Sequence, residues 1–475
     1  MRFYFIGWLF PLWIVAQGSF SDAVGFGQKA TGGRGGVVVN ITNLKDAGRG
    51  SLRAAIERHN NGLGATTITF NGLSGTIVLN DQLYLSRGDL TIAGQTAAGN
   101  GILIRRRASQ NDHAGIFIDG ADNVIISGLR IRLGQHHNPK GYSQGDCISI
   151  YDGSRIYLRN LSLSWSTDET LGIFGDCGRR VPQDITIHDV IIGEPLAYTD
   201  DSKSYRAKAD SRALIIGGCT TRVSIYNTYI VSSADRQPFI GGDPNKLGQH
   251  EIDGLLLNGA SAFLVKFGDD DGEKQINFRN FVSLNRKGFA DRRPIVSVNG
   301  LNRIARDNRS IFTDQQFSGD DVFGEFELGL RALSSKNLTT AFFPFPMRDF
   351  PNRSKSRIIA DIKQHAGAFP RDAVDTRFLG YLNGTPRMTL LREDNANLQY
   401  PQLKGSYQYR DMDKDGISRA FERLLGTSDR VPSHNNDHDN DGRTDLEEYL
   451  ESILIPRGTA RASGLRPRRS RSRVY

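Results

Sequence analysis

Two acidic stretches near the C-terminal end of the sequence have the spacing of metal ligands. In each, carboxylates stand at the first, third and fifth places, a glycine follows at the sixth, and a glutamate stands at the twelfth. The side-chain candidates are Asp411, Asp413, Asp415 and Glu422 in the first stretch, and Asp437, Asp439, Asp441, Asp445 and Glu448 in the second. The backbone carbonyls at the seventh place belong to Ile417 and Arg443. Ca²⁺ prefers many oxygen ligands at once, so the pattern predicts two calcium sites.

The twelve-residue spacing is that of the EF-hand loop, and the pair resembles the dockerin-like calcium repeats appended to secreted bacterial glycan-degrading enzymes. That resemblance implies a role in stability or in attachment to a partner, and not in catalysis. After each loop, apolar residues follow at helical spacing and are expected to pack together. They are Phe421, Leu424, Leu425, Leu446, Tyr449 and Leu450.

Short apolar runs of strand length dominate the middle of the chain. They are rich in β-branched and aromatic residues, and Gly, Asn or Asp ends each of them. Clear examples lie at 116–118, 124–127, 147–151, 184–188, 222–226 and 275–278. No helical pattern of ten or more residues separates these runs, whereas a doubly wound α/β sheet needs helices for its crossovers. The pattern therefore favours a solenoid of stacked coils, a right-handed parallel β-helix. A large β-sandwich or propeller is the alternative.

Composition and the N-terminus indicate where such a protein works. Arg2 precedes an apolar run at 3–16 and small residues follow, a pattern typical of a secretory signal peptide cleaved between Ala16 and Ala23. The alternative is an uncleaved anchor. No other stretch is apolar and long enough to span a bilayer. The net charge of +8 favours a polyanionic partner: nucleic acid, an anionic polysaccharide or a membrane surface. The three cysteines fit neither a disulfide framework nor a zinc site, and one bridge or buried free thiols remain the alternatives.

Changes in composition and hydrophobic pattern along the sequence predict five regions. They are a signal peptide (1–22), a β-helical domain (23–300), a segment that wraps and caps the solenoid (301–404), the paired calcium loops (405–455) and a basic disordered tail (456–475). Near the start of the mature chain, Ser51 is expected to cap a short helix whose Leu52, Ala55 and Ile56 face inward and seal the end of the solenoid.

Several motifs within residues 24–380 resemble the pectate lyase family, polysaccharide lyase family 1. They are GFG at 25–27, TGGRGG at 31–36, GDCISI at 145–150, LSLSWSTDE at 161–169, DRQP at 235–238, AGA at 366–368 and RDAVD at 371–375. The resemblance implies the same right-handed parallel β-helix. It also implies calcium-assisted β-elimination of an acidic polysaccharide in a groove on one face of the solenoid.

The resemblance assigns roles to individual residues. Asp146 and Glu169 match the family's acidic calcium ligands, with Asp168 as an alternate beside Glu169. Arg236 matches the arginine of the Arg-x-Pro motif that takes the proton from C5, and Lys208 falls where a lysine binds the substrate carboxylate. The chain also departs from the family pattern, with YLRN at 157–160, YRAKAD at 205–210, Gly172-Ile173 after the acidic pair, and no second arginine after Pro238. These departures bear on the substrate subsites.

The resemblance, together with the N-terminal apolar run, implies a secreted, Ca²⁺-dependent lyase that cleaves pectate or a related uronate polymer by β-elimination. Calcium and cationic side chains aimed at the uronate carboxylate would stabilise the charge that builds up when the neighbouring proton leaves. We expect an acidic polysaccharide as substrate, no nucleic acid, no membrane span after signal cleavage, and an attachment partner for the calcium loops. A non-catalytic glycan-binding or adhesion protein is the alternative. A hydrolase on the same fold would need clustered aspartates that do not follow the Arg-x-Pro motif.

Overall fold

The computed structural model describes residues 18–107, 113–134, 145–178, 180–196, 211–243, 245–259, 265–267, 272–284, 296–298, 302–313, 323–324, 337–345, 351–383, 391, 398–405 and 409–454. Three long sheets run through most of this chain, and the strands within each sheet pair in parallel. Among the described residues, no helix has both the length and the apolar character needed to cross a membrane. The predicted signal peptide, Lys208 and the basic tail from 456 onward fall wholly or largely outside the described residues.

Sheet one has eleven strands in spatial order. They are β1 (Val37–Asn40), β2 (Thr66–Thr69), β5 (Leu90–Ala93), β8 (Val124–Ser127), β11 (Ser154–Arg159), β14 (Gln183–His188), β17 (Thr221–Tyr226), β20 (Gly248–Asp253), β23 (Lys274–Arg279), β26 (Asn302–Arg306) and β29 (Leu338–Thr339). Sheet two has nine, which are β4 (Leu83–Leu85), β7 (Ile116–Ile118), β10 (Ile148–Ile150), β13 (Glu169–Gly175), β16 (Arg212–Gly218), β19 (Phe239–Ile240), β22 (Val265–Phe267), β25 (Val296–Val298) and β28 (Phe323–Gly324). Sheet three also has nine, which are β3 (Gly75–Leu79), β6 (Ile102–Arg106), β9 (Arg130–Arg132), β12 (Ser162–Ser164), β15 (Ile191–Gly193), β18 (Tyr229–Val231), β21 (Leu256–Asn258), β24 (Phe281–Leu284) and β27 (Ile311–Thr313).

Successive strands visit the three sheets in turn. From β5 in sheet one the chain passes to β6 in sheet three, β7 in sheet two and β8 back in sheet one. Parallel strands joined by crossovers of this kind coil in the right-handed sense. The prediction of a right-handed parallel β-helix is therefore confirmed. The strands continue beyond residue 300, where the sequence placed the end of the lyase domain, as far as β29.

The solenoid core consists of aliphatic side chains stacked in register from coil to coil. In sheet one the parallel pairing aligns Ile92, Ile126, Leu158, Ile187, Ile225 and Ile252 in a single row. All of these side chains are buried in one continuous apolar cluster. Because each coil covers the apolar side of its neighbour, the turn residues between strands need to supply only the change of direction.

The N-terminal segment lies along the outer face of sheet one. Backbone amides of Phe26, Gly27 and Gly33 donate to hydroxyl oxygens of Ser224, Thr186 and Thr91, one from each of three coils. Helix α1 (Leu52–Arg58) follows β1, and the Ser51 hydroxyl accepts from the Ala54 amide at its N-terminus, as predicted. Its Leu52, Ala55 and Ile56 join the solenoid core.

Two helices cover the outside of sheet three. Helices α2 (Lys355–His365) and α3 (Ala373–Gly380) bury Ile358, Ile362 and Phe378 in a second apolar cluster with side chains of the sheet. Beneath them, Nη2 of Arg132 lies 2.6 Å from Oδ1 of Asp372 and 3.0 Å from Oδ1 of Asp375.

The C-terminal region adds helices α4 (Arg419–Leu425) and α5 (Asp445–Ser452), each directly after part of an acidic loop. The rings of Phe421 and Tyr449 lie 5.2 Å apart between the two helices. We call residues 409–454 the C-terminal module. The expectation that Leu424 shares this packing is wrong, because the face through Phe421 and Leu425 turns Leu424 to solvent, where it is 67% exposed.

Candidate active site

A groove of about 560 Å³ runs over the outer face of sheet two. Its walls come from strands of neighbouring coils and from the turns just before them. Three acidic residues, Asp146, Asp168 and Glu169, line it together with Arg236. Asp146 lies two residues before β10, Glu169 begins β13, and Arg236 lies three residues before β19. Stacking of the coils thus brings together residues that are far apart in the sequence.

The three carboxylates form one compact group. Each offers an oxygen, and these oxygens all lie within 4.8 Å of one another. The Ser149 hydroxyl donates to Oδ2 of Asp146 at 2.7 Å and orients it. On the next coil a Cβ at position 172 would lie only 2.4 Å from the same oxygen. Gly172, one of the departures from the family pattern, therefore leaves the space that the Asp146 carboxylate occupies.

Two arginines bind the other two carboxylates. Arg236 forms an ion pair with Glu169, and Arg212, the first residue of β16, forms one with Asp168. The Arg236 side chain is 27% exposed and that of Glu169 is 7% exposed, so this pair lies at the floor of the groove with one side open. The Arg236 backbone has a positive φ of 55°, a conformation that non-glycine residues rarely adopt and that is concentrated at functional sites.

Burial perturbs the charges in this group. Burial raises the pKa of the Asp146 carboxyl well above its usual range, and the negative charge of Asp168 raises it further. Burial also lowers the pKa of the Arg236 guanidinium, although Asp168 and Asp146 oppose that change. Burial thus disfavours the ionised form of Asp146 and makes the Arg236 guanidinium easier to deprotonate than an exposed one.

A row of aromatic side chains extends from this cluster along the same sheet. Tyr84, Phe117, Tyr151 and Phe174 come from successive coils, with ring centroids 5.8, 5.6 and 6.4 Å apart. Tyr84 and Phe174 are 42% and 39% exposed, although large apolar side chains are usually covered. Phe117, Tyr151 and Phe174 line the groove itself. Flat rings of this kind offer a stacking surface for other apolar faces.

The first acidic loop also gathers its predicted carboxylates. Asp413, Asp415 and Glu422 offer oxygens within 4.8 Å of one another, as do Asp411, Asp413 and Asp429. Gly416 at the sixth place has φ of 88°, the left-handed turn that this loop requires. Burial and neighbouring carboxylates raise the pKa of both Asp411 and Glu422 to about 7.

The second acidic loop differs from the first because one of its own residues, Arg443, places a positive side chain among the carboxylates. Asp437, Asp439 and Asp441 come together within 4.8 Å. The guanidinium of Arg443 reaches back to Asp441 at 2.9 Å and lies 3.7 Å from Glu448. Asp445 binds the ring of His438, with Oδ2 2.6 Å from Nδ1. The sequence assigned Arg443 only a backbone carbonyl, and its side chain was not considered.

Other residues of these sites were not identified from the sequence. They are Ser149 and Arg212 in the groove, the four aromatic residues of the row, and Asp429 beside the first loop. Lys208 lies outside the described residues, so its expected place beside the substrate stays a prediction.

Known proteins resemble this chain over nearly its whole length. No protein-family model matches it. It is 28% identical over 451 residues to "Probable pectate lyase C" of Neosartorya fischeri, an alignment that covers 93% of this chain and 95% of that protein. The protein of the same name in Emericella nidulans is 27% identical over 449 residues, covering 93% and 94%. The chain is thus similar to probable pectate lyases over about nine-tenths of its length.

A solved structure titled as a thermostable pectate lyase aligns with 74% of the chain and 97% of its own length, with a TM-score of 0.47 and 14% identity. The curated relatives confirm the prediction of a pectate lyase-like lyase. The groove on sheet two holds four residues that the family resemblance singled out, Asp146, Asp168, Glu169 and Arg236.

Proposed function

We propose that the protein is a Ca²⁺-dependent lyase that cleaves pectate or a related uronate polymer by β-elimination in the groove on sheet two. The observation that carries the proposal is the meeting of Asp146, Asp168 and Glu169 with Arg236 on one open face. The relatives whose names describe pectate lyases support the choice of substrate.

The donor set of the groove fits a hard cation. Its ligands are carboxylate oxygens, which Ca²⁺ prefers. Burial and the nearby charge of Asp168 raise the pKa of Asp146, and a bound cation would stabilise its ionised form. Asp146, Glu169 and Asp168 would hold the ion. When bound, Ca²⁺ would supply a Lewis acid that draws the uronate carboxylate into the groove and stabilises added negative charge on it.

Arg236 is proposed as the base. In β-elimination the Arg236 guanidine takes the proton from C5, and the bond between C4 and the glycosidic oxygen breaks, which leaves a double bond between C4 and C5. The departing oxygen takes up a proton from water and becomes a hydroxyl group. The free guanidine is a minor species, since the ordinary arginine pKa is about 12 or more. The lowered pKa at this position increases its share. Since Arg236 is bound to Glu169, its release for catalysis requires another positive charge to take its place at that carboxylate.

The aromatic row indicates how a bound polymer would be oriented in the groove. Sugar rings have apolar faces of C–H groups that pack on aromatic rings. The row runs across the coils from the acidic cluster, so we propose that the chain of sugars lies along sheet two, perpendicular to its strands. Lys208 is proposed to bind a substrate carboxylate, as the family resemblance implies.

The wider sequence predictions belong to the same proposal. We propose that residues 1–22 are a signal peptide, that the enzyme acts outside the cell, and that the two C-terminal loops bind calcium. The sequence suggested attachment to a partner through these loops. The buried contacts of the C-terminal module with the solenoid favour an internal role for at least the first loop.

The decisive experiment follows the unsaturated product by its ultraviolet absorbance, with polygalacturonate as substrate. The mature chain should generate it with calcium and stop when a chelator is added. Arg236→Ala should lose activity by about a hundredfold or more, the usual contribution of a general base. Arg303→Ala, which removes an ion-paired arginine on sheet one, is the matched control and should stay active. Binding of the polymer without unsaturated product would instead assign the glycan-binding alternative.

A further inference from the structure

The first C-terminal loop gathers one carboxylate more than its twelve-residue spacing provides. Asp429 follows α4, outside the loop, yet it offers an oxygen within 4.8 Å of Asp411 and Asp413. Its Oδ1 also accepts from the Met412 amide at 2.8 Å, which fixes the carboxylate beside the loop. Asp413 belongs to both groups of carboxylates and so joins Asp429 to Asp415 and Glu422.

Buried oxygens point into this group without partners. The side chain of Glu422 is 1% exposed, and neither of its carboxylate oxygens has a hydrogen-bond partner in the described structure. Both carboxylate oxygens of Asp413 are buried and unpartnered in the same way. Basic side chains near the group include Arg419, 3.5 Å from Asp429, and His434, 4.0 Å from Asp415. Buried charges are normally paired or bind a metal, and an all-oxygen donor set fits Ca²⁺.

The same loop rests directly on the first coils of the solenoid. A Cβ at position 416 would lie 2.9 Å from Cγ1 of Val38 in β1, so only glycine permits this approach. Next to it, Ile417 and Phe421 share an apolar cluster with Val38 and with Ala93 at the end of β5. The geometry of the loop therefore determines how the module fits the outer face of sheet one.

Further contacts extend this junction to the second half of the module. Asp415 accepts from the amides of Ser433 and His434 at 2.7 and 3.1 Å, which ties the first loop to the second. At α5, Glu447 accepts from the Ser19 hydroxyl and pairs with Arg34 at 2.8 Å. A displacement of the first loop would thus be transmitted to the contacts that hold the N-terminal segment.

We propose that Ca²⁺ bound by Asp411, Asp413, Asp415, Glu422 and Asp429 clamps the C-terminal module onto the first coils of the solenoid and stabilises that end of the β-helix. This goes beyond the proposed function, because it assigns the loop a structural ion and a ligand outside the EF-hand spacing. It does not depend on the chemistry of the groove. The second loop contributes less, since Arg443 already supplies a positive charge there.

Hydrogen exchange of the mature protein tests the clamp directly. The background is Asp146→Asn, which removes a proposed calcium ligand in the groove. Exchange is measured once with chelator and once with calcium, at β1 and β5 beneath the module and at β24, which lies on sheet three in a remote coil. At calcium a hundred times its Kd, opening of the module should be suppressed about a hundredfold. Protection should rise at β1 and β5 and stay unchanged at β24.

Variants then identify the ligands. Calcium affinity is read from the metal-dependent rise in melting temperature. In a background of Asp146→Asn with Asp439→Asn, Asp413→Asn should abolish this rise. In the same background, Asp429→Asn should weaken the affinity at least about tenfold, as expected when a metal site loses a supporting group. Glu57→Gln, which neutralises an exposed carboxylate on α1, should change neither the rise in melting temperature nor the calcium affinity.

If hydrogen exchange at β1 and β5 is the same with and without calcium, the proposed clamp is wrong. An unaltered affinity in Asp429→Asn would overturn the assignment of that ligand. A loss of lyase activity with unchanged calcium-dependent exchange would contradict the proposed function of the groove and not the clamp.

Discussion

Replacing Arg236 with alanine should slow the enzyme and at the same time tighten calcium binding in the groove. Arg236 is paired with Glu169, one of the carboxylates proposed to hold the ion. The guanidinium and the metal therefore compete for the same oxygens. Removing the arginine frees Glu169 and also removes a positive charge from the neighbourhood of the ion.

The size of this effect follows from the burial of the pair. Exposed ion pairs contribute less than about 1 kcal/mol, whereas breaking a fully buried pair costs about 3–5 kcal/mol. With side chains 27% and 7% exposed, the Arg236–Glu169 pair lies between these limits. We take about 1–2 kcal/mol for the pair, which is about a 5- to 30-fold change in Kd when about 1.4 kcal/mol is tenfold.

Isothermal titration with calcium measures this change. The protein titrated should carry both Asp413→Asn and Asp439→Asn, so that calcium binding to the C-terminal loops does not contribute to the measured heat. Arg236→Ala should then bind calcium more tightly than its parent, and Arg236→Lys, which keeps the positive charge, should not. Arg180→Ala is a further control, because Arg180 pairs with Asp119 outside the acidic cluster. If Arg236→Ala binds calcium with equal or lower affinity, Glu169 is not shared between the arginine and the ion, and the proposed release of Arg236 fails.

Three further predictions concern the groove and the flank. Gly172→Ala should lower calcium affinity and activity, because the added Cβ would lie 2.4 Å from Oδ2 of Asp146. Circular dichroism checks that the variant is folded, and calcium titration measures its affinity. An unchanged affinity would contradict the prediction. Tyr151→Ala should raise KM about 2- to 10-fold with little change in kcat, since aromatic stacking contributes about 0.5–1.5 kcal/mol; steady-state kinetics on long oligomers measure it, and a lower kcat at constant KM would argue against stacking. Burial would raise the pKa of Asp372, but the charge of Arg132 outweighs it and the pKa is lowered. Asp372 therefore contributes stability above its unfolded pKa of about 3.9, and this contribution disappears as the pH falls below that value. Asp372→Asn should cost about 3–5 kcal/mol at neutral pH and flatten the acid limb of urea denaturation curves, and an acid limb as steep as in the parent protein would contradict this.

The fold could be predicted from the sequence because each coil repeats the same local chemistry. Apolar runs such as those of β8 and β14 end in turn residues, and no helix-length pattern separates them. Helix α1 was also predictable, since Ser51 caps it and its apolar residues have helical spacing. These features depend only on neighbours in the sequence.

The groove could be predicted only in part. Asp146, Glu169 and Arg236 were identified by resemblance to a family, and no spacing rule connects them, since each lies on a different coil. The aromatic row could not be predicted from the sequence for the same reason. Tyr84 pairs with Phe117, but Phe117 pairs with Ser149 and Tyr151 lies two residues further on. Only the folded coils bring the four rings together. Asp429 was missed because the EF-hand spacing ends at Glu422.

The junction between Glu447 and the N-terminal residues Ser19 and Arg34 has a consequence for biosynthesis. The ribosome releases the first coil long before α5 exists. Until residues near 450 emerge, Val38 and Ala93 lack their final cover, and the nascent solenoid keeps an apolar patch on the outer face of sheet one exposed to other chains. Folding of the first coils is therefore complete only after α5 has been synthesised, and a chain that stops before α4 should aggregate through this patch.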